Sequence, residues 1–146
     1  MPSLLLAAAA FGALNVSHPY WLISTSTSRE PNEMLYLTDS SDDGEGALRG
    51  WRFDEDSPDT KGMFWLMPVG GDDPDAHWLV GTKKSRKSGH MVYLDDFGKS
   101  QIWPFHPDKP DPKAEWRLVE VNGEPEVDMD AYFIVSGPKS RYKNEM

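Results

Sequence analysis

The chain contains no cysteine. That excludes a disulfide framework, a thiolate metal site and a cysteine nucleophile, and it leaves the redox compartment open. No apolar run approaches the roughly 20 residues a helix needs to cross a bilayer, because the longest, within the first thirteen residues, is only Leu4 to Phe11. Positive charge is scarce: 15 Lys and Arg face 24 Asp and Glu, for a net charge of −9. A general nucleic-acid or heparin binder gains affinity by neutralising phosphates or sulfates with Lys and Arg, so nucleic acid is not expected as a partner. Helical patterning is also missing, since only Leu4 to Ala10 has good helix propensity and seven residues are marginal without tertiary support. There is no Gly-x-Ser-x-Gly elbow and no phosphate-cradling glycine loop, and His18, His77, His90 and His106 show no metal-binding spacing. An enzyme is therefore not expected, and no cofactor or metal is implied.

What the chain does have is an internal repeat. Tyr20 to Met34, His77 to Met91 and Tyr132 to Met146 align without a gap, 57 and then 55 residues apart. The first and third share seven of fifteen residues, and all three carry Ser-Arg at one offset and Met at another. A period of this length is the mark of repeated supersecondary units. The copies divide a single 146-residue domain into an apolar N-terminal segment (1–16), a first lobe (17–74), a second lobe (75–127) and part of a third (128–146).

Within each copy the pattern predicts four short strands. Copy one supplies residues 20–24, 34–37, 47–53 and 63–67, and copy two supplies 77–80, 91–94, 101–105 and 115–119. These runs are rich in β-branched and aromatic residues and lie between Gly, Pro, Asp and Ser; the chain has twelve Gly, twelve Pro and six Trp. Three four-stranded units are too few for a propeller, which needs at least about four blades, so one shared barrel is expected.

The lobe pattern resembles the β-trefoil superfamily, and within it the ricin B-like lectins, over residues 18–146. Leu35-Tyr36-Leu37-Thr38-Asp39 and Val92-Tyr93-Leu94-Asp95-Asp96 match that family's strand running into its sugar-binding Asp. Trp51 and Trp103, the latter in Ile102-Trp103-Pro104-Phe105, fall at its stacking aromatic. Trp65 and Trp116 stand for the closing Gln-x-Trp box, whose Gln position holds Met63 and Ala114 and whose preceding Asn is replaced by Gly62 and Lys113. The resemblance implies an all-β, β-trefoil-like fold with two complete lobes plus the first strand of a third. It also implies a non-enzymatic carbohydrate-binding module contacting glycans or glycoproteins through Asp39, Trp51, Asp96 and Trp103. A carboxylate accepts hydrogen bonds from sugar hydroxyls while an aromatic face packs on the C–H side of the ring. The plainer roles for the same residues are core Trp and turn Asp.

A trefoil with a shortened third lobe lacks its last barrel strand, and an open edge invites aggregation. Leu4 to Val16 is expected to fold back antiparallel beside Tyr20 to Ile23 and fill that slot; the rival is a homodimer formed through the open edge. A second function is a trefoil protease inhibitor, with the basic loop Lys83, Lys84, Arg86 and Lys87 as bait for a protease that cleaves after Lys or Arg. The acidic loop 39–45 has the first half of a calcium loop, but its twelfth position is Gly50 where a bidentate Glu is required. The first thirteen residues resemble a short secretory signal with a small-residue exit at Ala10-Phe11-Gly12 and no preceding basic residue. Secreted and cytoplasmic locations both fit.

Overall fold

A computed structural model describes residues 5–8, 18–24, 28–38, 46–70, 73–95, 99–120 and 130–140. They form eleven antiparallel strands, and the only helical elements among them are two single 3-10 turns. In chain order the strands are β1 (Leu5–Ala8), β2 (Tyr20–Trp21), β3 (Ile23–Ser24), β4 (Glu33–Leu37), β5 (Leu48–Arg52), β6 (Met63–Pro68), β7 (Ala76–Gly81), β8 (His90–Leu94), β9 (Ser100–Pro104), β10 (Trp116–Glu120) and β11 (Asp130–Ser136). The 3-10 turns, Thr60–Gly62 and Pro112–Ala114, precede β6 and β10. Each is capped by an Asp, Asp59 or Asp111, whose side chain accepts from the N–H two residues on.

The hydrogen-bonded order runs β2-β6-β7-β10-β11-β1-β3-β4-β5, with β8 branching from β7 and β9 pairing β8 alone. The path starts at β2 and passes through β3, and these two strands are separated in the chain by Leu22 alone. β1 lies between β11 and β3, antiparallel to both, through Leu5↔Phe133 to Ala8↔Asp130 on one side and Leu6↔Ser24 and Ala7↔Ile23 on the other. Leu5–Ala8 of the apolar N-terminal segment thus pair antiparallel beside Ile23–Ser24, whereas Tyr20–Trp21 pair with β6 and residues 9–17 lie outside the described residues. Contrary to the expectation of one barrel, the antiparallel ladders among the described residues do not close into one.

The two copies fold alike in detail. Ile23↔Met34 and Val80↔Met91 set the same register between the first strand and the hairpin. The turn that follows the first strand closes with Asn32 N–H to Ser24 O and Gly89 N–H to Gly81 O, both 3.0 Å. Asn32 (φ 57°) and Gly89 (φ 70°) share the left-handed conformation there, which Asn and Gly tolerate best. Trp21 donates its indole N–H to Asp59 O and packs on Phe53; Trp78 does the same with Asp111 O and Phe105.

The closing strands correct one sequence alignment. Tyr20 pairs with Phe64 whereas His77 pairs with Trp116, so Trp116 is the equivalent of Phe64, and Trp65 is the equivalent of Arg117. The Trp of the closing box therefore falls one residue apart in the two copies. Trp116 is buried and Trp65 is half-buried. A one-residue slip moves a side chain to the opposite face, which accounts for the difference.

One core serves all three copies. Leu22, Leu79 and Ile134 occupy the same repeat offset and lie in a single cluster with Leu37 and Leu94 from the hairpins and Phe64, Leu66, Trp116 and Leu118 from the closing strands. Each such side chain contributes about 1.5–3 kcal/mol when fully buried. A satellite cluster of Trp78, Val80, Met91 and Ala114 lies on the other side of β7 and β8. β7 is buried at every residue because it pairs with β6, β8 and β10, so its sequence AHWLVG shows no alternation.

Candidate functional site

The two exposed large hydrophobics among the described residues are Trp51, 63% accessible, and Trp103, 59%. They are equivalent: Trp51 lies opposite Met34 in the β4–β5 hairpin and Trp103 opposite Met91 in β8–β9. Directly opposite residues share a sheet face, yet both Met are buried. The Met34 thioether turns down onto Gly62, whose missing Cβ would lie 2.7 Å from Sδ, and Met91 packs with Ala114 at the matching turn. The methionines thus fill the space beneath, while the indoles stay on the rim.

Among the described residues both Trp belong to edge strands, since β5 ends the ladder and β9 pairs only with β8. Arg52 and Pro104 follow them, and a charge or a Pro on an edge strand discourages pairing with another chain. The two edges meet at their other ends, where the Ser100 hydroxyl accepts from the Ala47 and Leu48 N–H groups at 3.0 and 3.1 Å. Three residues of strand separate each Trp from this junction, so their Cα atoms are no more than about 27 Å apart at roughly 3.3 Å per residue.

The face that carries Trp51 also carries Tyr36 and Arg49, paired two positions along; the face that carries Trp103 carries Tyr93 and Gln101. Arg86, from the turn after β7, stacks over the Tyr36 ring with Cζ 5.7 Å from its centroid. Gln101 donates to Asp95 Oδ2 at 2.9 Å, fixing the residue before Asp96. Asp39 and Asp96, the expected sugar-binding carboxylates, lie outside the described residues. Trp51 and Trp103 stand three pairs, about 10 Å along the strand, from the last hairpin pairs Leu37↔Leu48 and Leu94↔Ser100.

The basic turn is compact. Ser85 is buried, its N–H donates to Thr82 O at 3.0 Å, and its hydroxyl accepts from the Lys87 N–H at 3.2 Å. Ser140 repeats the first of these bonds to Gly137 O, so the Ser of the recurrent Ser-Arg is a turn anchor. Lys83, Lys84 and Arg86 are exposed and Lys87 is half-buried.

Elsewhere an ion pair ties β10 to the turn that precedes β7. Arg117 Nε donates to Asp73 Oδ2 at 2.7 Å, and its Nη2 lies 3.5 Å from Asp75 Oδ2. The hydrogen bond from the Asp75 N–H, opposed by desolvation and assisted by Arg117, holds the Asp73 carboxyl below its ordinary value. Burial pushes the Glu115 carboxyl up, against the pull of Lys139. Among the described residues no three His, Asp or Glu side chains gather as a metal site, and no helix is long and apolar enough to cross a membrane.

Tyr36 and Arg86 were not paired by sequence reasoning, although Tyr recurs in copy two as Tyr93 and the Arg recurs in all three copies. The signal was present, but the partners come from different copies. Compared with known proteins, the chain matches no protein-family model, no curated protein and no solved structure.

Proposed function

We propose that the chain is a non-enzymatic carbohydrate-binding module of β-trefoil type, with Trp51 and Trp103 as the stacking platforms of two equivalent sites. The observation that carries this reading is the matched exposure of the two indoles on rigid, repeated hairpins. Leaving an indole largely in water forgoes on the order of 3 kcal/mol of burial, and a cost incurred twice at the same repeat position calls for a compensating use. Three features favour the trefoil arrangement. The path of ladders begins and returns within residues 20–24, β1 pairs between β11 and the first strand of copy one, and one core draws on the same offset of all three copies.

Each site is an open face on an edge strand, so single-site affinity is weak and two sites within about 27 Å supply avidity. Asp39 and Asp96 are the proposed hydroxyl acceptors that accompany the platforms. Because β1 pairs along the edge at Ile23–Ser24, no second copy is needed to cover it. The protease-inhibitor alternative asks the turn at 83–87 to enter a cleft, and its tight hydrogen bonding and the stacking of Arg86 on Tyr36 weigh against an extended bait. A glycan array with the intact protein tests the lectin reading, with competition by oligosaccharide stronger than by monosaccharide as the expected result. No glycan bound at high protein concentration, or trypsin inhibition lost in Arg86→Ala, would remove it.

A further inference from the structure

We infer, resting on the carbohydrate-binding reading, that the site on the first hairpin selects a sugar bearing a single carboxylate, with Arg86 as the anion contact beside the Trp51 platform. Trp51 and Tyr36 are diagonal neighbours on one face of β4–β5, a spacing of about 7–8 Å that is within reach of aromatic side chains. Arg86 lies over Tyr36. A pyranose ring stacked on Trp51 therefore places a ring carboxylate, directed along the strand, within reach of the guanidinium. The planar fork of Arg matches a carboxylate with two parallel hydrogen bonds.

The guanidinium is also held before any ligand arrives. Stacking on Tyr36 limits its rotamers, and the turn that delivers it is rigid: Ser85 anchors it, and Gly81 lets it approach, since a Cβ there would lie 2.7 Å from Lys87 O. Ordering a free Lys or Arg on binding would cost conformational entropy that this arrangement has already spent. Lys83 and Lys84, exposed in the same turn, have no such support. The net charge of −9 opposes an extended polyanion, but a lone carboxylate in contact with Arg86 lies inside the roughly 8 Å screening length at physiological salt and is governed by that contact.

The repeat supplies an internal control. Arg29 holds the same offset in copy one and is exposed, but among the described residues no aromatic ring lies beneath it. The test is a glycan array in which each sialylated or uronate-containing oligosaccharide is printed beside its uncharged parent. It is read with the wild-type protein, Arg86→Gln, Arg86→Lys and Arg29→Gln, all checked for an unchanged melting temperature. The wild-type protein should prefer the carboxylated member by about tenfold, the factor expected of one charge-assisted pair. Arg86→Gln should bring that preference to unity while leaving neutral glycans bound, Arg86→Lys should retain a part of it, and Arg29→Gln should retain all of it. Glycan binding without an acidic preference, or a preference that survives Arg86→Gln, would overturn this inference and leave the lectin reading standing. Absence of binding to every glycan would overturn both.

Discussion

Trp116→Phe asks whether the shared core is arranged as described. Trp116 is 5% accessible, lies in the main cluster, and donates its indole N–H to Val92 O at 2.9 Å in a buried environment. Phe is the natural choice of replacement because Phe64 holds the equivalent position in copy one. The change removes the donor and leaves a buried carbonyl short of a partner, at about 1–3 kcal/mol, and the lost ring atoms forgo about 1 kcal/mol more. The sum, about 2–4 kcal/mol, corresponds to a fall in melting temperature of roughly 6–12 °C for a chain of this size. Trp65→Phe is the matched control: Trp65 is half-buried and its equivalent is the half-buried Arg117, so its loss should stay below about 1 kcal/mol. Urea unfolding followed by far-UV circular dichroism measures both. Equal costs at the two positions, or a cost below about 1 kcal/mol for Trp116→Phe, would refute the register that separates them.

Trp51→Ala and Trp103→Ala should each weaken glycan binding at least several-fold while changing stability by no more than about 0.5 kcal/mol, because both side chains are exposed; a large drop in stability would instead assign them to packing. Removal of residues 1–16 deletes a strand paired on both sides and should lower the melting temperature sharply, and an unchanged melt would show that the β1 pairings contribute nothing to stability. Two carboxylates should shape acid stability in opposite directions. Asp73, held below its ordinary 3.8, contributes stability that is present above that pH and lost as pH falls through its folded value, so Asp73→Asn should flatten the acid limb of a stability–pH profile. Glu115, raised above 4.5, costs stability once ionised, so Glu115→Gln should stabilise at pH 7 and have no effect well below pH 4.5; effects of the reverse sign in urea melts across pH 2–8 would refute both assignments.

Much of the architecture was legible because its cause is local. The apolar and aromatic runs EMLYL and HMVYL, the Gly- and Asn-bearing turns and the recurrent Met all act within a hairpin, and the hairpins form where the pattern placed them. The apolar, uncharged N-terminal segment needed a partner, and its residues 5–8 pair with β3 and β11, though along Ile23–Ser24 and not Tyr20–Trp21. The closing strands were harder. Trp65 and Trp116 look alike in sequence, but the register is set by pairing with Tyr20 and His77, contacts about 40 residues away that no local pattern encodes. The Arg86 contact with Tyr36 escaped notice for the same reason, as it joins residues of different copies.

The amino-acid order by itself determined that this protein is built of β-strands and that a unit of some 55 residues recurs, because strand preference and turn chemistry act over a few residues. Only the tertiary structure decided which tryptophans face water. Trp78 and Trp116 are covered by strands brought from elsewhere in the chain, whereas Trp51 and Trp103 stand on edges that no further strand among the described residues reaches. Burial depends on what the rest of the chain lays over a residue, and that information is distributed over the whole fold.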